Sequence, residues 1–442
     1  VDDRGTEPAI SESTPATKSA LPRQLTGLGL WLLMINGMVG AGIFGVPAEA
    51  ARLAGDFSPL LYLLCALLVA PVMLCFAELG SATRESGGPA RYVAVAFGPM
   101  AGFQTGWALY IARMTAFAAN LNLLLASMAF FWPALGSGVV RIVGLALLTA
   151  LLAWLNIVGV KRAIQSLGGL TLLKLGPLVL LALVGVAWLP GDEPRQLLIP
   201  LPEASLGAAV LLMIYAYVGF ESGLIPGGEA KNPQRDMPRA LLGALAVCAL
   251  LYALLQWICL VTLDDLETTQ RPLVELGAVL LGPAGGVLLA VTVITSVGGN
   301  LLGSMFSAPR ITHALAEDKL LPATLATVHS RYLTPVGSIV VYALLAWLLA
   351  ATGSFFWLAS LSVLTRVLIY VGCIAAMPRV RRQAAPGSLR LPLGWTIPIA
   401  AMAVCVLLVS QVTWQSAVAT AVMLAVGTAL YLVVRMKSLP QT

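Results

Sequence analysis

Four ionisable side chains fall inside otherwise apolar stretches of the sequence: Arg113, Lys174, Glu221 and Arg366. A charge at bilayer depth costs at least about 2.5–3.5 kcal/mol on insertion scales, so each is expected to have a partner and to mark a place of function. Lys174, in LTLLKLGPL, lies about eight residues, or roughly 12 Å, inside its segment, too deep for easy snorkelling to the interface. Glu221 is the clear acid at mid-depth. It could pair with an ammonium on a cargo, take a proton as a site opens, or tie its helix to a neighbour. Arg113 and Arg366 each need an acid or freed carbonyls, and an approach of Arg113 to Glu221 is one such pairing. A gate, an anion site and a plain helix-to-helix tie are all open for the two arginines.

Residues of these types suit binding and charge movement. An intramembrane enzyme would need a nucleophile or paired acids, so no catalytic residue is assigned. The six cysteines lie in apolar stretches with no Cys-x-x-Cys pair and read as small buried hydrophobes. His313 and His329 share one polar connector and read as solvated side chains, so no metal and no cofactor is expected. GAGIFG, Gly40 to Gly45, formally matches a dinucleotide fingerprint, but that motif needs a preceding strand in a soluble parallel sheet.

Backbone chemistry is the second candidate. Gly37, Gly40, Gly42 and Gly45 cluster in the middle of the first apolar segment, with Pro47 just beyond. The sixth segment repeats the pattern at Gly219, Phe220, Glu221, Ser222 and Gly223, followed by Pro226, Gly227 and Gly228. Each glycine costs about 1 kcal/mol against alanine in a helix, so such clusters mark backbone meant to unwind. Freed amides at a half-helix N-terminus attract an anion, and freed carbonyls at a half-helix C-terminus attract a cation. A zwitterion such as an amino acid fits both. Gly102 and Gly106 in GFQTG read instead as close helix packing.

The elements that would hold these groups follow from composition. Of 442 residues, 59% are hydrophobic and only 10% charged, where a soluble chain would be about one-quarter charged. Large soluble domains are excluded, and an all-α integral membrane protein is expected. Apolar segments run near 26–50, 57–80, 100–131, 137–160, 166–189, 206–229, 240–262, 284–308, 336–352, 356–378, 393–412 and 416–435, giving twelve transmembrane helices. Nineteen of the 26 basic residues then fall in tails and connectors on the side of the termini, which places both termini in the cytoplasm of a multi-pass cell-membrane protein. The net charge of +6 sits along that face beside anionic lipid and needs no nucleic-acid partner.

Broken helices in spans 1 and 6 point to a five-plus-five inverted repeat with cargo near the bilayer midplane. The expected division is a disordered tail over 1–24, a first repeat over 25–190, a second over 191–380, two peripheral helices over 381–436 and a cytoplasmic tail over 437–442.

Four segments in order carry a family likeness: VGAGIFGVPAEAA, AELGSATRESGGPARYVAVAFGPMAGFQTGW, YAYVGFESGLIPGGEAKNPQRDMPRA and SAPRITHALAEDKLLPATLATVHSRYLTPVGS. The chain resembles the amino acid, polyamine and organocation (APC) transporter superfamily over nearly its whole length. The second segment looks like that family's loop between spans 2 and 3. The resemblance implies a LeuT-like fold, alternating access, and an amino acid or related amine as cargo. It implies that the amides of Ala41 and Gly42, assisted by Ile43, hold the carboxylate. Carbonyls of Met38, Tyr215 and Val218 would then hold the ammonium, with Tyr215 and Phe220 covering the cargo. Asn300 stands where arginine-binding relatives put an aromatic, which argues against arginine and for a smaller or polar side chain. Lys174 matches a lysine that resembles a replacement for the sodium ion of related transporters. Glu229 with Lys231 to Pro238 reads as a cytoplasmic latch or a capping loop.

The leading expectation is a sodium-independent secondary carrier of amino acids, either coupled to protons or working by exchange. The alternative is an amino-acid-binding sensor that does not transport, for which an appended output domain would be expected. Oligomeric state is not legible in the sequence.

Overall fold

The structure, a computed structural model, describes residues 26–82, 88–158, 167–188, 206–221, 231–384 and 388–438. The tails at 1–24 and beyond 438, Lys161 and Arg162, and the stretch from Ser222 through Glu229 lie outside the described residues.

Among the described residues the chain is helical, with no strand. The first span is two helices, α1 (Gly27–Met38) and α2 (Ala41–Ala54), and is followed by α3 (Ser58–Ala82), α4 (Gly88–Phe97) and α5 (Pro99–Met128). Next come α6 (Gly138–Val158), α7 (Leu167–Trp188), α8 (Leu206–Tyr217), α9 (Pro233–Thr262) and α10 (Pro272–Glu317). The chain ends with α11 (Val336–Thr352), α12 (Phe355–Gln383), α13 (Thr396–Ser410) and α14 (Trp414–Ser438). Each apolar segment read from the sequence carries helix. Among the described residues eight helical stretches are long and apolar enough to cross a membrane, and α1, α8, α11 and α13 are shorter apolar helices.

Local sequence explains the starts. Pro99, Pro233 and Pro272 open α5, α9 and α10 at the position where a missing N–H costs nothing. Thr26 and Ser354 cap α1 and α12 by accepting from the amides of Gly29 and Trp357. Two elements depart from expectation. The connector between spans 2 and 3 contains α4, and α10 runs for 46 residues, well past 284–308, by turning a kink at Gly282 (φ 70°) just before Pro283.

Burial sorts the helices into centre and periphery. The apolar window of α5 is 83% buried and that of α12 is 72% buried, against 22% for α6 and 17% for α14, so α5 and α12 form the packed centre. They pack on one another, and α10 packs on α5. Outward leucines and valines such as Leu147, Leu151 and Val422 suit a lipid-facing surface. With apolar burial giving little drive between helices in lipid, close packing and interhelical hydrogen bonds hold them together. Trp107 donates from Nε1 to the Met423 carbonyl at 2.8 Å, fastening α14 to α5. A Cβ on Gly102 would strike Ala94 of α4, whereas one on Gly106 would meet Ala90 at ordinary contact distance, so in GFQTG it is Gly102 that allows the close packing.

One tie was not legible in the sequence. Glu78, near the end of α3, is 2% exposed and receives a two-pronged contact from Arg381 of α12 (Nε–Oε1 2.6 Å, Nη2–Oε2 2.8 Å). The Leu391 amide adds a third bond to Oε2 at 3.2 Å, and Trp395 lies under the guanidinium. Glu78 is thus a second buried acid besides Glu221. Arg381, counted above only as a charge facing the cytoplasm, is a clamp.

Removing one partner of such a pair strands a buried charge, at about 3–5 kcal/mol. Glu78→Gln and Arg381→Lys are both expected to lower the apparent Tm in detergent by several degrees, the second because an ammonium cannot reproduce the fork. A scanning-fluorimetry Tm within a degree of wild type for both would contradict this.

Candidate functional site

The site begins with two interruptions. α1 stops at Met38, Val39 and Gly40 leave the helix, and α2 starts at Ala41 with no side chain capping its first amides. α8 stops at Tyr217, where the Val218 amide bonds back to the Tyr215 carbonyl, and Gly219 adopts φ 114°, a conformation that favours glycine. The two breaks touch through backbone. A Cβ on Gly219 would collide with the Gly37 carbonyl, and one on Gly42 would collide with Cα of Ala216. Both glycines are therefore required for close approach.

Side chains claim much of the backbone freed here. Lys174 Nζ, 2% exposed as a residue, donates to Asn36 Oδ1 at 2.6 Å and to the carbonyls of Asn36 and Val39 at 3.4 and 3.5 Å. The Tyr252 hydroxyl donates to the Met38 carbonyl at 3.0 Å. At the second break the Glu221 carboxylate accepts from the Gly219 amide at 2.9 Å and from the Tyr370 hydroxyl at 2.5 Å. The uncapped start of α2 borders an open space instead.

That space is a cavity of about 340 Å³ walled by both breaks and by faces of α5, α10 and α12. Of the residues expected to bind cargo, Met38, Ala41, Gly42, Tyr215, Val218 and Asn300 line it. Arg113, Glu221 and Arg366 line it too. Three expected residues do not. Ile43 is fully buried in α2. Phe220 points toward Phe76 and Tyr370, with ring centroids 6.0 and 5.9 Å away, so its ring is not placed to cover the cavity. Lys174 stands behind the first break, reaching its backbone and not the cavity.

Glu221 pairs with Arg366, Oε1 to Nε 3.6 Å, and not with Arg113. Arg366 also donates to the Ala112 carbonyl at 3.1 Å and to Ser362, which binds it to α5 and to its own helix. Arg113 donates to Ser307 Oγ at 2.5 Å.

Sequence reading passed over Asn120, Ser304 and Ser307, all in the cavity wall. The signal was there. Arg113 and Asn120 are seven apart, and Asn300, Ser304 and Ser307 are spaced four and three, so each set lies on one face of an apolar helix. Asn120 accepts from the Tyr215 hydroxyl at 2.7 Å and sets that ring, whose edge meets Phe355 (centroids 5.9 Å apart). Beyond Phe355 lies a second cavity of about 460 Å³ bordered by Gly45, Glu49, Asn122 and Arg141. The Tyr215–Phe355 contact stands between the two spaces.

Comparison with known proteins identifies the family. The family model described as amino acid permease matches residues 25–434. The serine/threonine exchanger SteT of Bacillus subtilis is 29% identical over 380 residues, which cover 83% of this chain and 85% of that protein. The methylthioribose transporter of the same organism is 26% identical over 453 residues, with 96% of both chains covered. The branched-chain amino acid permease BcaP of Lactococcus lactis is 27% identical over 386 residues, covering 81% of this chain and 82% of that one. These relatives are transporters and not enzymes. A family match over almost the full length, on a chain of long apolar helices, leads to one conclusion: this multi-pass membrane protein belongs to the amino acid permease family of the APC superfamily.

Proposed function

We propose that this protein is a sodium-independent secondary active transporter that carries an amino acid across the cell membrane by alternating access. Twelve spans in a five-plus-five inverted repeat, with α13 and α14 peripheral and both termini cytoplasmic, are the frame for this reading. The observation that carries it is the pair of backbone breaks meeting at one cavity, with the uncapped start of α2 on its wall.

The chemistry follows from that wall. A carboxylate seats on the amides of Ala41 and Gly42, where the helix end carries about half a positive charge. The ammonium meets carbonyls of Met38, Tyr215 and Val218. Tyr252 takes one lone pair of Met38 and leaves the other, since each carbonyl accepts twice. These contacts read the amino acid core and leave the side chain to Asn120, Asn300 and Ser304. Tyr215 against Phe355 forms the thin gate between the cavity and the vestibule beyond. Lys174 supplies a positive charge at the first break, in the role a sodium ion has in related transporters. The names of two of the three relatives support amino acid cargo, and the exchanger among them makes exchange as natural a mode as proton symport.

Uptake of a panel of labelled amino acids into proteoliposomes, with and without internal amino acid and an imposed proton gradient, is the direct measurement. Flux is expected under at least one of these conditions. Binding without flux under all of them would make the protein a sensor.

Lys174→Ala is expected to lower uptake by about tenfold or more, equivalent to ~1.4 kcal/mol, with the protein still folded in detergent. Lys174→Arg is not expected to rescue it, because a guanidinium fork does not fit a pocket built around a point charge. Wild-type rates for Lys174→Ala would remove it from the mechanism.

A further inference from the structure

The cavity holds an unbalanced charge. Among the described residues its ionisable carboxylate and guanidinium groups are Arg113, Arg366 and Glu221, two cations against one anion. Glu221 is already committed: it accepts from Gly219 and Tyr370 and faces Arg366. Among the described residues no carboxylate pairs with Arg113, whose bonded partner is the neutral Ser307 hydroxyl. Lys174, close behind the first break, is likewise held by neutral oxygens among the described residues. Among the described residues the centre of the molecule therefore carries more positive charge than its acids offset.

An arginine in such a place stays protonated, so it cannot shed the charge as a lysine or histidine can. A lone buried guanidinium is costly unless an anion and good hydrogen bonds meet it. A zwitterionic amino acid brings no net charge. Its one carboxylate goes to the α2 amides in the reading above, on which this inference rests, and its ammonium adds a further cation to the cavity. A second carboxylate on the cargo would balance Arg113.

We propose that the cavity selects amino acids with an acidic side chain, aspartate or glutamate, and that Arg113 is the residue that reads that carboxylate. The guanidinium presents a planar fork that matches a carboxylate two-to-two. Ser307 steadies one arm of the fork, and Ser304, one turn away on the same face of α10, shares a hydrogen bond with the Tyr342 hydroxyl, which in turn donates to the Arg113 carbonyl. Arg366, by contrast, is neutralised by Glu221 and anchored to α5 through the Ala112 carbonyl, so it is a fixed tie and not the reader. Asn300, further along the same face of α10 and beside Gly40, keeps that stretch of the wall polar.

The test compares cargo pairs that differ in charge and hardly in shape: glutamate with glutamine, and aspartate with asparagine. Uptake into proteoliposomes and ligand-induced thermal stabilisation in detergent are measured for each. Wild type is expected to favour the acid of each pair by at least about tenfold in uptake, and to be stabilised by the acid and not by the amide. Arg113→Gln is expected to bring the glutamate-to-glutamine ratio to about one or below, with Arg113→Lys in between. Equal or better use of the amides by wild type overturns the acidic reading and leaves transport standing. No flux of any amino acid, with stabilisation still confined to the acids, overturns transport and keeps the site. Neither flux nor selective stabilisation sinks both. If Arg113→Gln does not fold, the wild-type pairs alone decide.

Discussion

Everything distinctive about this molecule follows from one constraint: backbone broken inside a membrane must find polar partners within the protein, because lipid offers none. The chain breaks two helices and sets the breaks against each other, Gly219 beside the Gly37 carbonyl. Each freed group then needs an owner. Lys174 and Tyr252 arrive from α7 and α9 to take carbonyls at the end of α1, and Glu221 folds back to take the Gly219 amide. The first amides of α2 have no side-chain cap, and they border the cavity. An anion-accepting place is what this division leaves over.

The same constraint explains why the deep charges are where they are. Lys174 and Glu221 do not float in the apolar interior. Each is bonded to unwound backbone, so its cost is set against the cost of leaving that backbone bare. Arg366 joins the second break to α12 through Glu221, and the Tyr370 hydroxyl adds a second link between the same parts. Glu78 and Arg381 repeat the device where α3 and α12 end. α12 thus meets a carboxylate from another helix at two levels, which fits its place in the packed centre.

Much of this was legible beforehand because its signal is local. A run of glycines in an apolar segment says that the helix breaks, and a charge in such a segment says that it must be paired. The long-range half was not legible. Nothing in the spacing of Glu221 distinguishes Arg366 from Arg113 as its partner, since both lie more than a hundred residues away and only packing brings one near. Phe220 shows the same limit. The family resemblance implied that it covers the cargo, yet one residue past a glycine at φ 114° the ring is turned toward Phe76 and Tyr370. Glu78 escaped notice because it stands close to a span end, where an acid usually meets water. Asn120, Ser304 and Ser307 were missed for a different reason, namely that mild polarity in an apolar helix draws less attention than charge.

The two breaks are not equivalent, and the difference bears on movement. At the first, the freed carbonyls are held by Lys174 and Tyr252, which project from helices that pack directly against α1. At the second, Glu221 binds its own break and α12 at once, so any shift of the end of α8 must either carry Tyr370 and Arg366 with it or part from them. Arg366 has less to gain from following, since the Ala112 carbonyl and Ser362 already hold it to the central pair of α5 and α12. The weaker link is the one between Glu221 and Arg366, at 3.6 Å, against 2.5 Å for Tyr370. Strain applied at the second break would therefore reach the cavity first as a change in how well Glu221 screens Arg366, which ties the shape of the backbone to the charge that a cargo meets.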